Sequence, residues 1–490
     1  MTSLALSKKV TSSKLFLILV AALLVRLVSL ALYPLMDTTE ARYGEMARLM
    51  VETTNWLTPQ FDYGVPFWGK PPLQNWMSAS FIQLFHNSEF FLRLPHFLAG
   101  IAILLLMMYF AKRFAINGIK AAIILTTTVV FYVCIGTVMT DMGLLLGLSI
   151  ALLSFYLAWQ GQYFWGYVGF VGLAIGLMSK GPVSVVIFGI ATALFMLWSV
   201  GPIKMWSLLW QRVPLVSGSL LMLSLTLPWY VMAEQATPGF IQYFIVGEHW
   251  LRFIDSGWQG DLYGSAHDEI RGTIWLYFAV ACLPWTLFLP RALYRIYQGE
   301  QQFDPLTQFL ICWMIAPLLL FTFAGNILPA YVLPASPALA LLIAHAWKDS
   351  PILKFNLMAV GTPALLIMAV IVLNSGVSQD KSDKWLLAQR VDSLDTFYWL
   401  QQPFSSRYYS DGKASVISDE QQLQSLKKQA FYMVVTKKQL EHFNSFSQCK
   451  VEVQTRKKVL LLCNDLTLSK AQLTSESKLN TQLMNKHNEG

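Results

Sequence analysis

"KLFLILVAALLVRLVSLALYPLMDTTEARYGEMARLM", residues 14–50, runs from a long apolar stretch straight into a cluster of carboxylates and guanidinium groups. Its first part, residues 14–35, is long enough to cross a bilayer, which takes roughly 20 residues. No small-residue cleavage pattern precedes the charged cluster, so the run reads as an anchor and not as a removable signal peptide.

Similar runs recur at residues 91–111, 119–136, 142–159, 164–179, 183–200, 213–232, 272–290, 306–324, 328–346 and 352–373, giving about eleven predicted spans. Of the 490 residues, 55% are hydrophobic and 13% charged, against roughly 25% charged in an average soluble domain. The predicted fold class is an α-helical polytopic membrane protein. Lys8, Lys9 and Lys14 precede the first span, and Lys112, Arg113, Lys120, Lys204, Arg212, Arg291, Arg295, Lys348 and Lys354 fall on the same side if spans alternate. Retention of positive charge on the cytoplasmic side then puts the N-terminus inside and the chain after the last span outside. The net charge of +8 is accounted for by topology, so no nucleic-acid partner is inferred.

Residues 1–375 form the predicted membrane domain, with long outer-face segments at 36–90 and 233–271. In the first of these, "EARYGEMARLMVETTNW" suggests an amphipathic helix along the interface, and Trp56, Trp68 and Trp76 suit headgroup depth. Residues 376–470 turn polar and read as a small α/β module. There "SVISDEQQLQSLKKQAFYMVVTKKQLEHF" gives strand, helix, strand, helix, with capping boxes at Ser418/Gln421 and Thr436/Gln439. "CKVEVQTRKKVLLLC" reads as a hairpin turning at Gln454 to Lys458. Residues 471–490 read as disordered. Cys134, Cys282 and Cys312 read as packing residues, while a bridge between Cys449 and Cys463 in the outer module stays open.

The charges of the outer face mark the candidate site: Asp37, Glu40, Lys70, Asp141, Lys180, Glu248, His249 and Arg252. Ionised groups at membrane depth are costly and line aqueous cavities or polar ligand sites. Each also has an ordinary alternative. Asp37 and Glu40 fit the start of a helix, as cap and dipole partner, and Asp141 fits the start of another. Lys70 in "FWGKPPLQNW" is either a snorkelling side chain or an ammonium fixed by two prolines as a phosphate partner. Lys180 in "MSKGPVSVV" lies on the side opposite the topology-setting cations. In "GEHWLRF", His249 and Arg252 share a helical face, and no clean spacing supplies a metal set. Three prolines in "LPAYVLPASPALALL" predict a broken start to the tenth span.

Together, "DTTEARYGEMAR", "GKPPLQNW", "RLPHFLAG", "TDMGLLLGLSIAL", "GLMSKGPV", "GEHWLRF", "LPWTLFLP" and "LPAYVLPASPALALL" resemble membrane glycosyltransferases that use polyprenyl-phosphate sugars. The branch resembled contains the lipid A aminoarabinose transferases and relatives of the protein O-mannosyltransferases. That resemblance implies a GT-C glycosyltransferase fold in a bacterial inner membrane, an outer-face active site and a periplasmic C-terminal module. It implies a polyprenyl (undecaprenyl) phosphate sugar donor and a lipid A, glycan or protein acceptor, with membrane lipid as surroundings. Asp37 and Glu40 would be the catalytic or acceptor-orienting carboxylates; Lys70, Arg252 and Lys180 would hold the donor phosphate. Arg42, Tyr43, Asp141, Glu248 and His249 would line the cavity or meet the acceptor. Gly69 stands where the aminoarabinose transferases carry a metal-associated Glu, so no cofactor is assigned and a divalent metal is doubtful.

A single displacement with inversion, stabilising charge on the departing phosphate, fits such a donor. No Walker-type loop is present. The alternative is a transporter of lipid-linked sugars, which would place charges near span midplanes and often show inverted repeats. Sugar, acceptor and oligomeric state have no signature in the sequence.

Overall fold

The computed structural model describes residues 2–255, 257–264, 269–299, 303–347, 355–391, 393–426, 430–443, 446 and 449–463. It divides into two units, residues 1–33 with 46–374 and residues 34–45 with 375–490.

The first unit is a multi-pass membrane domain. Helices lie on the expected apolar runs from Thr2–Ser29 to Phe355–Asn374. Seven are long and apolar enough to cross a bilayer, or up to eight if the pair Thr273–Ala281 and Trp285–Tyr297, bent by 97°, is one span. A count of about eleven is therefore not reached among the described residues. Part of the shortfall is a broken run: 119–136 divides into Gly118–Thr126 and Val129–Cys134. The hydroxyls of Thr127 and Thr128 donate back to the carbonyls of Ile123 and Ile124, at 2.6 and 2.7 Å, which competes with a straight ladder. Neighbours satisfy the break: Trp285 Nε1 donates to Thr127 Oγ1 at 3.0 Å and Thr362 Oγ1 to the Thr127 carbonyl at 2.7 Å. The Phe164–Lys180 helix, with 17 residues, is simply short.

Glycine lets that short helix pack against Thr140–Trp159 at backbone distance. A Cβ on Gly147 would lie 2.5 Å from the amide nitrogen of Gly176, and one on Gly172 would lie 2.6 Å from that of Ala151. Arg93, fully buried, donates from Nη1 to the carbonyls of Leu30 and Tyr33 at 2.7 and 2.8 Å. It thus satisfies carbonyls just past the end of the first helix. The Thr39–Glu52 helix departs from the expected interfacial one: from Ala41 to Met50 every residue but Arg42 is buried, so it has no broad solvent face.

After that helix, a short antiparallel hairpin, β1 (Gln60–Asp62) with β2 (Val65–Pro66), leads into the Lys70 loop. The expected break at the tenth span is a 3-10 stretch, Pro329–Ala335, running into helix Ser336–Ala346. Trp313 Nε1 satisfies the Pro334 carbonyl there at 2.9 Å.

In the second unit, β3 (Thr396–Trp399), β4 (Ser415–Ile417), β5 (Phe431–Thr436), β6 (Lys450–Gln454) and β7 (Lys458–Cys463) form a sheet in the order β4-β3-β5-β7-β6. β3 runs parallel to β4 and β5, while β7 is antiparallel to β5 and β6. The buried central strand and the final hairpin match the sequence reading. Thr436 and Gln439 form the expected capping box. The other cap moves one residue along: Asp419 accepts from the Gln422 amide at 2.8 Å, and Gln422 Oε1 accepts from the Ser418 amide at 3.0 Å. Cys449 and Cys463 are bonded as a disulfide. Residues 34–45, read from sequence as part of the membrane domain, belong to this unit. The tail expected to be disordered lies outside the described residues.

Candidate functional site

Lys70 reaches its position through a stiff local frame. The Phe67 amide donates to the Pro59 carbonyl at 2.8 Å, and the Trp68 amide to the Tyr263 hydroxyl at 3.0 Å. Pro71 and Pro72 keep Lys70 out of the helix that starts at Leu73. Its ammonium then donates to Glu248 Oε2 at 2.7 Å. Glu248 is carried by a π-helical segment, Gln242–Leu251. Such segments are frequent at functional sites.

Glu248 is the hub of the cluster. Arg252 Nη1 donates to both of its oxygens, at 3.1 and 3.2 Å, and also meets Asp261 Oδ2 at 3.3 Å. The Glu248 side chain is 4% exposed, whereas Lys70 and Arg252 keep 18% and 19%. Burial pushes the Glu248 carboxyl up, but Lys70 and Arg252 outweigh it and hold the group at about 2. The arrangement keeps two cations side by side on one shared carboxylate, with Asp261 as a second anion on Arg252, and both cations stay partly open.

A second ion pair completes the frame. Lys180 ends the Phe164–Lys180 helix, where Gly181 turns the chain at φ +80°. A Cβ on Gly181 would come within 2.5 Å of the Phe244 ring. Lys180 Nζ donates to Asp141 Oδ1 at 2.7 Å and lies 4.5 Å from the centroid of the Tyr331 ring. Asp141 is in the first turn of its helix with its carboxylate turned to Lys180. His249 lies between its own segment and the end of the Lys180 helix: Nδ1 is 2.7 Å from the Phe244 carbonyl and Nε2 is 3.1 Å from the Lys180 carbonyl. Burial, with Lys70 nearby, pushes the imidazole below its usual value despite the two carbonyls.

These side chains border a cavity of about 560 Å³, lined by Lys70, Lys180, Glu248, His249 and Arg252 together with Tyr331 and apolar residues such as Val183, Ile245 and Leu320. Five of the residues singled out in the sequence thus line one space, and a sixth, Asp141, is bonded to one of them, Lys180. The sequence reading did not find Tyr331, Asn326 or Asp261. Tyr331 lay in a proline-rich stretch read only for its break, and Asp261 in a segment without periodicity.

Asp37, Glu40, Arg42 and Tyr43 belong to the C-terminal unit. Asp37 Oδ1 accepts from the Ser405 amide at 2.9 Å, and Oδ2 accepts from the Ser405 hydroxyl. Neither oxygen caps the helix that begins at Thr39, so the capping alternative does not describe it. Burial raises the Asp37 carboxyl, opposed by the two Ser405 bonds. Glu40 is buried, and the Arg42 guanidinium lies 5.2 Å from the Tyr43 ring centroid.

The residues present do not fit the metal associated with the resembled transferases. Gly69 brings no side-chain donor, its carbonyl accepts from Lys70 Nζ, and a Cβ there would sit 2.7 Å from the Phe67 ring. Among the described residues no group of three His, Cys, Asp or Glu converges as a metal set.

The sequence profile of the family "Dolichyl-phosphate-mannose-protein mannosyltransferase" matches residues 11–244. The undecaprenyl phosphate-alpha-4-amino-4-deoxy-L-arabinose arabinosyl transferase of Erwinia tasmaniensis is 30% identical over 365 residues, 71% of this chain and 63% of that one. The enzyme of the same name from Enterobacter sp. is 30% identical over 338 residues, 66% and 57% of the two chains. The chain therefore spans less than two thirds of these curated relatives. The crystal structure of ArnT from Cupriavidus metallidurans bound to undecaprenyl phosphate superposes with a TM-score of 0.73 at 18% identity, covering 94% of this chain and all of that one. Its apo structure gives 0.72. The likeness shows the fold, the GT-C type with a small C-terminal module.

Proposed function

We propose, from the match of residues 11–244 to the dolichyl-phosphate-mannose-protein mannosyltransferase family and the likeness to the arabinosyl transferases, that this chain is an integral membrane glycosyltransferase. It moves a monosaccharide from a polyprenyl-phosphate donor to an acceptor on the outer face. The observation that carries this reading is the pair of partly open cations, Lys70 and Arg252, sharing Glu248 beside a mainly apolar cavity. An apolar wall suits a polyprenyl chain, and adjacent cations suit a phosphodiester that becomes a monoester as the sugar leaves.

In the proposed reaction Lys70 and Arg252 bind the donor phosphate and stabilise the charge that grows on it, the part of the barrier where preorganised charge is most effective. Lys180, braced by Asp141, adds a third positive centre on the cavity wall. His249 keeps the π-helical segment and the end of the Lys180 helix in register. The acceptor oxygen attacks the anomeric carbon from the face opposite the phosphate, giving inversion. By the resemblance, one of the two carboxylates Asp37 and Glu40 steers the acceptor proton.

An inner-membrane location with the N-terminus in the cytoplasm and the C-terminal module in the periplasm is supported by the distribution of Lys and Arg. The Cys449–Cys463 disulfide also suits an oxidising compartment. The direct test is transfer by purified protein from polyprenyl-phosphate sugars extracted from the host, with products resolved by mass spectrometry. The expected result is consumption of one lipid-linked sugar with release of polyprenyl phosphate; loss of the sugar lipid across a vesicle without chemical change would instead mean transport.

A further inference from the structure

The C-terminal unit contains a buried polar chain that the donor-phosphate site does not use. Ser405, fully buried, is its centre: the amide and hydroxyl both donate to the Asp37 carboxylate, and the hydroxyl oxygen accepts from the Asp383 amide at 3.0 Å. The Asp383 carboxylate in turn accepts from Tyr398 Oη at 3.0 Å and Lys458 Nζ at 2.6 Å. Two backbone bonds run alongside. Asp37 N donates to the Lys381 carbonyl at 2.7 Å, and Leu35 N to the Tyr409 hydroxyl at 2.7 Å.

The partners lie far apart in sequence but in one compact unit, which is why residues 34–45 cluster with residues 375–490. A general base must present an oxygen to the incoming proton. Asp37 instead gives one oxygen to an amide and the other to a hydroxyl that is itself held in place by a second amide. Tyr398 and Lys458 anchor Asp383 to β3 and β7, so the chain of bonds ends on the sheet.

We propose that Asp37 is a positioning residue and not the base: with Ser405 and Asp383 it clasps residues 34–45 to the C-terminal sheet. The module's part in the reaction is then to fix the chain that enters the helix bearing Glu40, Arg42 and Tyr43. This rests on the glycosyltransferase reading for its catalytic consequence, but the clasp itself does not.

The test uses full-length protein in detergent with Asp37→Asn, Ser405→Ala and Ser405→Thr, read by hydrogen exchange of peptides covering residues 34–45 and by transfer from extracted polyprenyl-phosphate sugars. The clasp predicts that Asp37→Asn and Ser405→Ala raise exchange in residues 34–38 by about tenfold, corresponding to loss of a typical hydrogen bond. Both should lower kcat by a similar factor with KM for the donor unchanged, and Ser405→Thr should restore both readouts. A base predicts a split: Asp37→Asn losing about 100-fold or more with exchange unaltered, and Ser405→Ala near wild type. Unaltered exchange in either variant overturns the clasp. If Ser405→Ala does not fold, Asp37→Asn and Ser405→Thr decide by the same readouts. If wild-type protein transfers no sugar, the function is wrong while the exchange result still decides the clasp.

Discussion

Lys70 Nζ and Arg252 Nη1 bind the same carboxylate, Glu248, from opposite sides in sequence: one at 2.7 Å from a proline-stiffened loop, the other at 3.1 Å from the end of a π-helical segment. Two cations this close repel unless an anion sits between them. Glu248 serves that role, and a lipid phosphate is proposed to share it during turnover.

Removing one cation should therefore weaken donor binding without unfolding the protein. Lys70→Ala is expected to lose roughly 10- to 100-fold in affinity for a polyprenyl phosphate, the value of one charge-assisted hydrogen bond. Lys70→Arg should recover only part of that loss, because a planar fork does not replace a point charge in a fixed turn. Titration of undecaprenyl phosphate by quenching of intrinsic tryptophan fluorescence would read both.

Removing the anion has a different signature. Glu248→Gln leaves Lys70 without its carboxylate and Arg252 with Asp261 alone, and breaking such a buried pair costs about 3 kcal/mol or more. A large fall in thermal midpoint is expected for Glu248→Gln, with a much smaller one for Lys70→Ala. Equal midpoints would mean that the pair is not a structural hub.

The pH dependence of stability follows from His249 and Glu248. His249 is held below its usual value of 6.5 in the folded protein, so below pH 6.5 the unfolded chain takes up a proton that the folded one refuses. Stability attributed to His249 is complete above that pH and falls as pH drops below it. Glu248 acts lower: its contribution is complete above 4.5 and is lost as pH falls towards about 2. Thermal midpoints measured from pH 8 to 5 should decline below 6.5, and His249→Asn should flatten that decline.

Metal should play no part at Gly69. Chelation by EDTA is expected to leave transfer within twofold of the untreated rate. Gly69→Glu should lower stability, because the Phe67 ring occupies the space its Cβ needs. A stoichiometric divalent ion in the purified protein, together with activity lost on chelation, would contradict this.

Much of the fold was legible because hydrocarbon imposes length and apolarity on each span. The break at Thr127 was not, since it depends on Trp285 and Thr362 satisfying a bent backbone from distant segments. The cavity cations Lys70, Lys180 and Arg252 stood out because charge near a membrane is costly and needs a reason. Their carboxylate partners were named individually, but nothing in sequence spacing pairs Lys70 with Glu248 or Lys180 with Asp141. Asp37 shows the limit most clearly. Its Asp-x-x-Glu context reads equally as cap or catalyst, and the partner it uses, Ser405, is more than three hundred positions away.

Use of a polyprenyl-phosphate sugar is tested most directly by mass spectrometry of polyprenyl lipids from a strain lacking this protein, beside the same strain restored with wild type or with Lys70→Ala. One polyprenyl-phosphate sugar is expected to accumulate in the deletion strain, to be cleared by wild type and not by Lys70→Ala. No accumulation of any such lipid, in cells shown to make the donor, would contradict that use.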